Sequence, residues 1–191
     1  MGRNRNRRRN PHSTQQTNST QHRNRAAQRQ PVCGGPRTFV FVDIENVMGG
    51  EASRRRLEEA MDLVAAVAVG RPLLTVGMSH HWCARVGVEL RDRFPGCRIP
   101  GLRSGPDGAD LTLIAAMREQ RIATGDSVVL LSGDGLFAEV VGELVAAGVE
   151  VTVVTGHGGM SRALGAAASV HLRGDQLLLA PVGGESFAVA A

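Results

Sequence analysis

The sequence of 191 residues contains no lysine and no tyrosine, and aromatic side chains make up only 3% of it. Its three cysteines are an odd number and are widely spaced, which excludes a disulfide framework and favours a reducing compartment, so we expect a cytoplasmic protein. No apolar run approaches the roughly 18 residues that a membrane helix needs. Apolar residues still reach 42%, so we expect one globular core built mainly from Val, Leu, Ile and Ala.

Acidic residues are missing from residues 1–37, which hold nine arginines. The chain has 22 basic and 18 acidic residues in all, so residues 38–191 keep 13 basic residues and carry a net charge of −5. Residues 1–37 also offer almost no large apolar side chain for burial, and we predict a disordered arginine-rich tail. Its role is open between a cationic arm for RNA phosphates, a solubilising segment and, thirdly, a transit peptide.

Short apolar strands alternate with amphipathic helices from residue 38 onward. The patterns predict strands at 39–42, 73–76, 97–99, 127–131, 149–154 and 170–172, and helices at 53–69, 82–94, 110–121, 136–147 and 161–168. Runs such as VVLL and VEVTVV suit strands that are buried on both faces. We therefore predict a three-layer α/β/α sandwich with a mostly parallel central sheet over residues 38–175, followed by a C-terminal extension over residues 176–191.

Several aspartates stand where predicted strands end or helices begin. Asp43 continues directly from the apolar strand in FVFVDIENV, and Asp134 follows the strand in VVLLSGDG. Asp107 and Asp110 lie at the start of a predicted helix in GPDGADLTLI. Ligands of parallel sheets bind beyond the carboxyl ends of the strands, so these acids would meet if their strands are neighbours. Clustered carboxylates repel one another when bare, and they suit Mg²⁺ or Mn²⁺.

Each acid also has an explanation without a metal. Asp107 or Asp110 could cap a helix or complement its dipole, Asp134 could be a turn residue, and Asp43 could lie at an exposed strand end by chance. A zinc site is a further alternative, although the spacing of its candidate ligands matches no common pattern; these are His80, His81, Cys83 and Cys97.

Three further motifs are candidates for contact with nucleic acid. The glycine-rich stretch TGHGGMSRALG could hold a phosphate on free amides, or Ser161 could simply cap the next helix. Trp82 could stack on a base or anchor packing. In ASRRRLEEA, a run of arginines either forms a solvated helix face or contacts RNA backbone; the run is Arg54, Arg55 and Arg56.

The stretches FVDIENV, DGADLTLIAAM and LSGDGLFAEVVGELVAAGVEVTVV, spread over about residues 38–172, resemble the NYN domain, a branch of the PIN-like nuclease superfamily. The resemblance implies a PIN-like sandwich with Mg²⁺ or Mn²⁺ at the sheet edge and RNA as the substrate. It also implies site residues by position. The metal ligands would be Asp43, Asp110 and Asp134, with Asp107 as a further candidate, while Asn46 would orient water or phosphate and Ser132 would lie near the metal.

Leu136 departs from that family pattern, because many members carry another acid there. Its presence predicts weaker binding of a second metal, unless Leu136 packs into the core. The function we predict is a metal-dependent ribonuclease that hydrolyses phosphodiester bonds. Two alternatives stay open: a non-catalytic RNA-binding module with a weakened metal site, and a phosphatase of the haloacid dehalogenase type, for which Glu45 stands where a second aspartate is needed. The sequence also leaves a homodimer open.

Overall fold

The computed structural model describes residues 35–179, so most of the predicted tail and of the C-terminal extension lies outside it. Within this range one sheet contains five strands, all parallel, in the order β2-β1-β3-β4-β5. The strands are β1 (Thr38–Asp43), β2 (Leu73–Gly77), β3 (Ser127–Leu131), β4 (Glu150–Thr155) and β5 (Val170–Arg173). The predicted α/β architecture with a parallel sheet is confirmed.

Helices cover both faces of this sheet. They are α1 (Ile44–Val47), α2 (Arg54–Val67), α3 (His80–Arg93), α4 (Gly108–Glu119), α5 (Ala138–Ala146), α6 (Arg162–Ala167) and α7 (Gly174–Leu179), and a 3₁₀ turn (Gly135–Phe137) precedes α5. The longest, α2 and α3, have 14 residues each. Between residues 35 and 179 no helix has the length and hydrophobicity needed to cross a bilayer.

The strand β1 shows why the sheet is covered on both sides. Its side chains alternate between the two faces, as the pleat requires. Val40 and Val42 belong to the core under α2 and α3, whereas Phe39 and Phe41 belong to the core under α4 and α5. All four side chains are at most 2% exposed. A strand with both faces buried reads as a continuous apolar run, which is what FVFV is.

Three local elements differ from the prediction. The expected strand at 97–99 is wrong, because Arg98 forms only an isolated bridge to Thr75 at the edge of β2. The helix α1 has no signal in the sequence, since four residues are too few for a helical repeat to show. The helix α7 is also unexpected, because its LLL run suggests an added edge strand or a loosely packed segment. It crosses the predicted start of the C-terminal extension at residue 176.

The last residue of the predicted tail is attached to the folded domain. Arg37 donates from its backbone N and from Nε to Asp126 Oδ1, at 3.0 and 3.2 Å, and forms an ion pair with Asp126 Oδ2 at 2.6 Å. Asp126 is buried, and the hydrogen bond from Arg37 lowers its pKa below the ordinary aspartate value. Arg37 is therefore part of the folded domain.

Strand order decides where a ligand can bind. From β1 the chain continues to β2 on one side, then crosses to β3 on the other side of β1. The order therefore reverses at β1, and a crevice opens between the carboxyl ends of β1 and β3. Asp43 is the last residue of β1, and Ser132 follows β3 directly.

Candidate functional site

An acidic cleft of about 160 Å³ lies at this reversal point. It contains carboxylates from three different segments of the chain, which are the end of β1, the start of α4 and the loop after β3. Its lining residues are Asp43, Glu45, Asn46, Ser79, Gly105, Asp107, Gly108, Ala109, Asp110 and Asp134. The four aspartates that the sequence singled out are thus brought together, as predicted from the parallel sheet.

A glycine lets α4 come close to the end of β1. Gly77, at the end of β2, is the sheet partner of Asp43. A Cβ atom at Gly77 would lie only 3.2 Å from the carbonyl oxygen of Ala109 and from the Cβ of Leu113. The missing side chain therefore allows the first turn of α4, with Asp110, to sit over the strand ends.

Asp43 is buried with few partners. Its side chain is 3% exposed, so its position at an exposed strand end by chance is excluded. One carboxylate oxygen accepts a hydrogen bond from the Asn46 backbone N at 3.3 Å, and the other accepts one from Ser132 Oγ at 3.0 Å. Two hydrogen bonds, one of them long, do not replace the hydration that a buried carboxylate loses.

The pKa values in the cleft reflect this burial. Desolvation raises the pKa of Asp43 to about 8, and repulsion from the Asp110 carboxylate adds to the rise. Desolvation also raises the pKa of Asp110, helped by the charges of Asp134, Asp107 and Glu45, while a hydrogen bond with Asp43 acts in the opposite direction. The cleft therefore disfavours its own negative charge when no cation is present.

Gly133 joins the segments that surround Asp43. Its backbone N donates to Asn46 Oδ1 at 2.9 Å, and its carbonyl accepts from the Ser161 backbone N at 2.9 Å. A Cβ atom at Gly133 would lie 2.1 Å from the carbonyl oxygen of Gly159. The loops after β1, β3 and β4 are thus packed so closely at this point that only glycine fits.

The structure gives Asn46 and Ser132 supporting roles. Asn46 accepts from Gly133 on its side-chain oxygen, and its NH₂ group remains as a donor for a ligand. Ser132 is fully buried; its Oγ donates to Asp43 and accepts from the Asp134 backbone N at 3.1 Å. Ser132 therefore connects the two strand-end acids of the cleft.

The sequence also allowed roles that need no metal, a turn residue at Asp134 and a helix cap at Asp107. The structure supports the first and not the second. Asp134 Oδ1 accepts from the Leu136 backbone N at 2.9 Å, so Asp134 does act as the turn residue that starts the 3₁₀ helix. Asp107 precedes α4 but makes no side-chain capping bond, and its φ of 57° is unusual for a residue other than glycine. Its role in the turn thus partly explains why an aspartate stands at position 134, whereas a capping role does not explain the aspartate at position 107.

Glu45 is a cleft residue that the sequence reasoning missed. The sequence marks it only as a departure from the phosphatase pattern, yet its Oε1 accepts from the Ser79 backbone N at 2.6 Å. Ser79 precedes α3 and makes no capping bond with its own side chain, so Glu45 supplies the acceptor at that helix start. The sequence feature that could have identified Glu45 as a cleft residue is its position two residues after Asp43.

A family model for the NYN domain matches residues 37–173. The chain belongs to the NYN domain family. That family is part of the PIN-like superfamily, and the five-stranded parallel sheet with flanking helices is consistent with a PIN-like fold. No curated protein matches the chain. A crystal structure of a protein of unknown function from Vibrio parahaemolyticus is similar, with a TM-score of 0.52 and 19% identity, over 73% of this chain and 93% of that one. This likeness shows a shared fold.

The cleft of this NYN domain fits a hydrated divalent cation. Burial and mutual repulsion already disfavour bare carboxylates at Asp43 and Asp110. Across residues 35–179 no three His, Cys, Asp or Glu side chains are arranged to hold one metal ion directly, which also leaves the zinc alternative without support. Mg²⁺ commonly binds through one or two carboxylates and keeps several waters, so a pair of acids with further acids around it suits this ion.

The predicted RNA-contacting arginines lie outside the cleft lining of the NYN domain. Arg54 and Arg55 pair with Glu58 and Glu59 one turn further along α2, and Arg56 lies 3.6 Å from both Glu51 and Glu59. These contacts describe a charged helix face.

Ser161 supports the site through its backbone. Its N donates to the Gly133 carbonyl, and its hydroxyl makes no capping bond to α6. The glycine-rich loop that precedes it, residues 156–159, lines a separate cavity of about 640 Å³ beside β4, β5 and α7. Within that cavity wall His157 Nε2 lies 2.8 Å from Glu59 Oε2.

Leu136 is 42% exposed, so the alternative that it packs into the core is wrong. Its neighbour Phe137 is the side chain that fills the core at this point, with no exposed surface. The position at which the resemblance to the family predicts an acid is therefore occupied here by a partly exposed apolar side chain.

Replacing Asp43 with Asn should make the metal-free protein more stable at pH 8 than the wild type. Because the folded pKa of Asp43 is raised, the folded state binds the proton more tightly than the unfolded chain, and wild-type stability should fall as the pH rises from about 4 to 8. The stability advantage of the Asn variant should grow over this pH window to a few kcal/mol, on the order expected for a shift of several pKa units.

Urea unfolding in EDTA at pH 5 and pH 8 measures this difference in the free energy of unfolding, with Asp92→Asn on the exposed face of α3 as the control. An advantage that is equal at both pH values would show that Asp43 titrates as an ordinary aspartate.

Replacing Gly133 with Ala should disrupt the close packing of the loops after β1, β3 and β4. The new Cβ would meet the Gly159 carbonyl oxygen at 2.1 Å, so the backbone must shift and the bond from Gly133 to Asn46 should break. We expect destabilisation of about 2 kcal/mol or more, as for other overpacked buried positions. Gly142→Ala is the matched control, because Gly142 lies in α5 with nothing within 4 Å of the added Cβ, and this change should stabilise the helix slightly. Equal melting temperatures for the two variants would contradict the steric argument.

Proposed function

We propose that this NYN domain is a metal-dependent ribonuclease that hydrolyses phosphodiester bonds with the help of Mg²⁺ or Mn²⁺. The observation that carries the proposal is the buried carboxyl of Asp43, which faces Asp110 in an acidic cleft at the reversal point of the sheet. An acidic cleft alone would repel RNA phosphates. With a divalent cation between the acids and the phosphate, the same charges become favourable.

Asp43 and Asp110 would hold the cation, with Asp134 and Asp107 close enough to take part through water. The cation would polarise the phosphodiester and activate water for attack on it. Ser132 and the Asn46 backbone N orient the Asp43 carboxylate, and the Asn46 NH₂ group is free to donate to water or to a phosphate oxygen. The role of the protein is therefore to fix the acids before the substrate arrives.

RNA is the proposed partner for two reasons. Nucleases of the NYN family act on RNA, and residues 1–37 supply nine arginines without an acid. Such an arm would raise the local concentration of RNA around a domain that is itself acidic. The arginines of α2 are engaged with glutamates, so the tail is the better candidate for the phosphate contacts.

A non-catalytic RNA-binding module is the second candidate. Two points favour it: Leu136 stands where the resemblance to the family leads us to expect an acid, and the part of the chain from residue 35 to 179 contains no three His, Cys, Asp or Glu side chains arranged to hold a metal directly. The phosphatase alternative has less support, because Glu45 is used at the start of α3 and the chain belongs to the NYN family.

A mixed pool of labelled RNA should be cut by the full-length protein in Mn²⁺ and left intact in EDTA. Asp43→Asn and Asp110→Asn should each lower the cleavage rate by about a hundredfold or more, because losing a charged ligand typically removes several kcal/mol of transition-state stabilisation. Asp92→Asn, which removes an exposed carboxylate outside the cleft, should cut at the wild-type rate. Wild-type protein that binds RNA and leaves it uncut in Mn²⁺ would support the non-catalytic alternative.

Deleting residues 1–34 should weaken RNA binding and reduce its dependence on salt. The deletion removes eight arginines and keeps the ion pair between Arg37 and Asp126. The slope of log affinity against log salt should change by about 0.7 for each phosphate that the shortened protein no longer neutralises. Fluorescence anisotropy at several salt concentrations measures this slope. Cleavage at saturating RNA should persist after the deletion. An unchanged slope would show that the tail does not touch RNA.

A further inference from the structure

We propose that the cavity of about 640 Å³ beside β4, β5 and α7 is a binding site for a purine nucleoside, and that its occupancy acts on the acidic cleft through the glycine-rich loop at residues 156–159. The nucleoside site is independent of the ribonuclease function proposed above. Its effect on the cleft rests on the cation site of that proposal.

The cavity is larger than the acidic cleft and separate from it. Its volume of about 640 Å³ compares with about 160 Å³ for the cleft, and the two share no lining residue. It is enclosed by α1, α2, the end of β4 with the loop that follows, β5 and α7. Pockets that bind small organic ligands have volumes of roughly 300–1,000 Å³, so this cavity has a suitable size for such a ligand.

The inner wall of the cavity is apolar. It includes Val47 of α1 and both Ala60 and Leu63 of α2, which are 1–3% exposed. Leu178 of α7 also lines the cavity and is 44% exposed, so apolar surface continues towards the solvent. A ligand with a flat apolar body would remove this surface from water, which favours binding.

The charged groups of the cavity lining are arranged in pairs. His157 Nε2 lies 2.8 Å from Glu59 Oε2, and Glu59 directly precedes Ala60 of the inner wall. Arg173 donates to both carboxylate oxygens of Asp175, at 3.2 and 3.1 Å. Because each acid in the described lining has a basic partner, the cavity contains neither a cluster of free cations for a phosphate nor a cluster of free acids for a metal ion.

A purine nucleoside matches this combination of surfaces. The base has flat apolar faces that fit the inner wall, and its edge carries hydrogen-bond donors beside acceptors, as the paired side chains do. His171 also lines the cavity, and its ring is exposed, so it offers a surface on which a base stacks, as histidine does in RNA-binding proteins. A nucleoside carries no net charge, which suits a lining whose charges are already paired.

The glycine-rich loop lies between this cavity and the groups that support Asp43. A Cβ atom at Gly158 would lie 3.1 Å from Asn46 Oδ1, the atom that accepts from the Gly133 backbone N. A Cβ atom at Gly156 would lie 2.4 Å from the carbonyl oxygen of Val47. The loop therefore lines the cavity and also packs directly against the loops that follow β1 and β3.

This position connects the two sites energetically. A nucleoside in the cavity restricts the loop, and the loop then holds the supports of Asp43 in place before a cation arrives. A second ligand that binds to an already restricted protein loses less conformational entropy, so its affinity rises. The coupling is reciprocal, and the cation should raise the affinity for the nucleoside by the same factor.

The test is isothermal titration calorimetry with the full-length protein in EDTA, where the acidic cleft has no cation through which to bind a nucleotide. The ligands are adenosine, adenosine 5′-monophosphate and ribose 5-phosphate. The variants are His171→Ala/Leu178→Ala, which removes two exposed lining side chains, and Phe187→Ala. The matched control is His81→Ala/Val88→Ala, because both side chains are exposed on α3 and line neither the cavity nor the cleft.

We expect wild type to bind adenosine and its monophosphate with similar affinity and not to bind ribose 5-phosphate. His171→Ala/Leu178→Ala should weaken adenosine binding about tenfold or more, because it removes a stacking ring and an apolar contact, and the control should bind as wild type does. Both lining side chains are exposed, so the variant should melt normally. Competition with an RNA of ten adenosines in EDTA distinguishes the sources: displacement of adenosine identifies a nucleoside within RNA, and its absence identifies a free nucleoside.

The effect on the cleft is measured by titrating Mn²⁺ with and without saturating adenosine. Wild type should bind Mn²⁺ about fivefold more tightly or better with adenosine, in the usual range of coupling between sites. His171→Ala/Leu178→Ala should lose this difference. Equal Mn²⁺ affinity in the two titrations of wild type would overturn the proposed coupling.

Three results would overturn the nucleoside site. Ribose 5-phosphate that binds as tightly as adenosine 5′-monophosphate would show an anion site. Unchanged adenosine binding in His171→Ala/Leu178→Ala would place the ligand elsewhere. Adenosine binding seen only in Phe187→Ala, which removes the one aromatic ring of residues 180–191, would show that this segment of the chain occupies the cavity. Binding of adenosine through His171 and Leu178 by a protein that binds no Mn²⁺ would refute the cation site and the coupling, and would support the nucleoside site.

Discussion

The burial of one carboxyl group, that of Asp43, is the constraint around which the site is built. The apolar run FVFV places β1 in the middle of the sheet, and the chain then ends that strand on an acid that is 3% exposed. Without a cation this arrangement opposes folding, since its raised pKa means that ionisation is more favourable in the unfolded chain. The surrounding interactions hold the Asp43 carboxyl group in a buried position, although the ionised group would be more stable in water.

Those interactions come from backbone and small side chains. Ser132 donates to Asp43, Asn46 bonds Gly133, and Gly133 packs against Gly159 without room for a side chain. Because the supporting groups are short and buried, they fix the carboxylate more rigidly than long surface side chains would. A rigid, destabilised acid would bind a cation with little rearrangement, so binding of the proposed ion would restore part of the stability that the metal-free protein lacks.

The sequence was sufficient for the architecture and for bringing four aspartates to one cleft, because both depend on one-dimensional signals. Apolar runs marked the buried strands, and parallel strands bring their carboxyl ends to one edge, so Asp43 and Asp134 had to converge. Contacts made by backbone atoms leave no such signal. Glu45 at the start of α3, the exposure of Leu136 and the isolated bridge at Arg98 depend on how segments pack in three dimensions.

Charge is distributed unevenly between the tail and the rest of the chain. A domain of net charge −5 with an acidic cleft is a poor partner for RNA, whereas a tail of nine arginines is a good but unselective one. On the proposed function, the tail would supply the long-range attraction for RNA, and the cleft would contribute only over the short range at which a cation can screen its acids. On the proposed function, selection of the substrate would then depend on contacts that carry no charge. The uncharged residues that line the cleft, which are Asn46, Ser79, Gly105, Gly108 and Ala109, would be the ones to make those contacts.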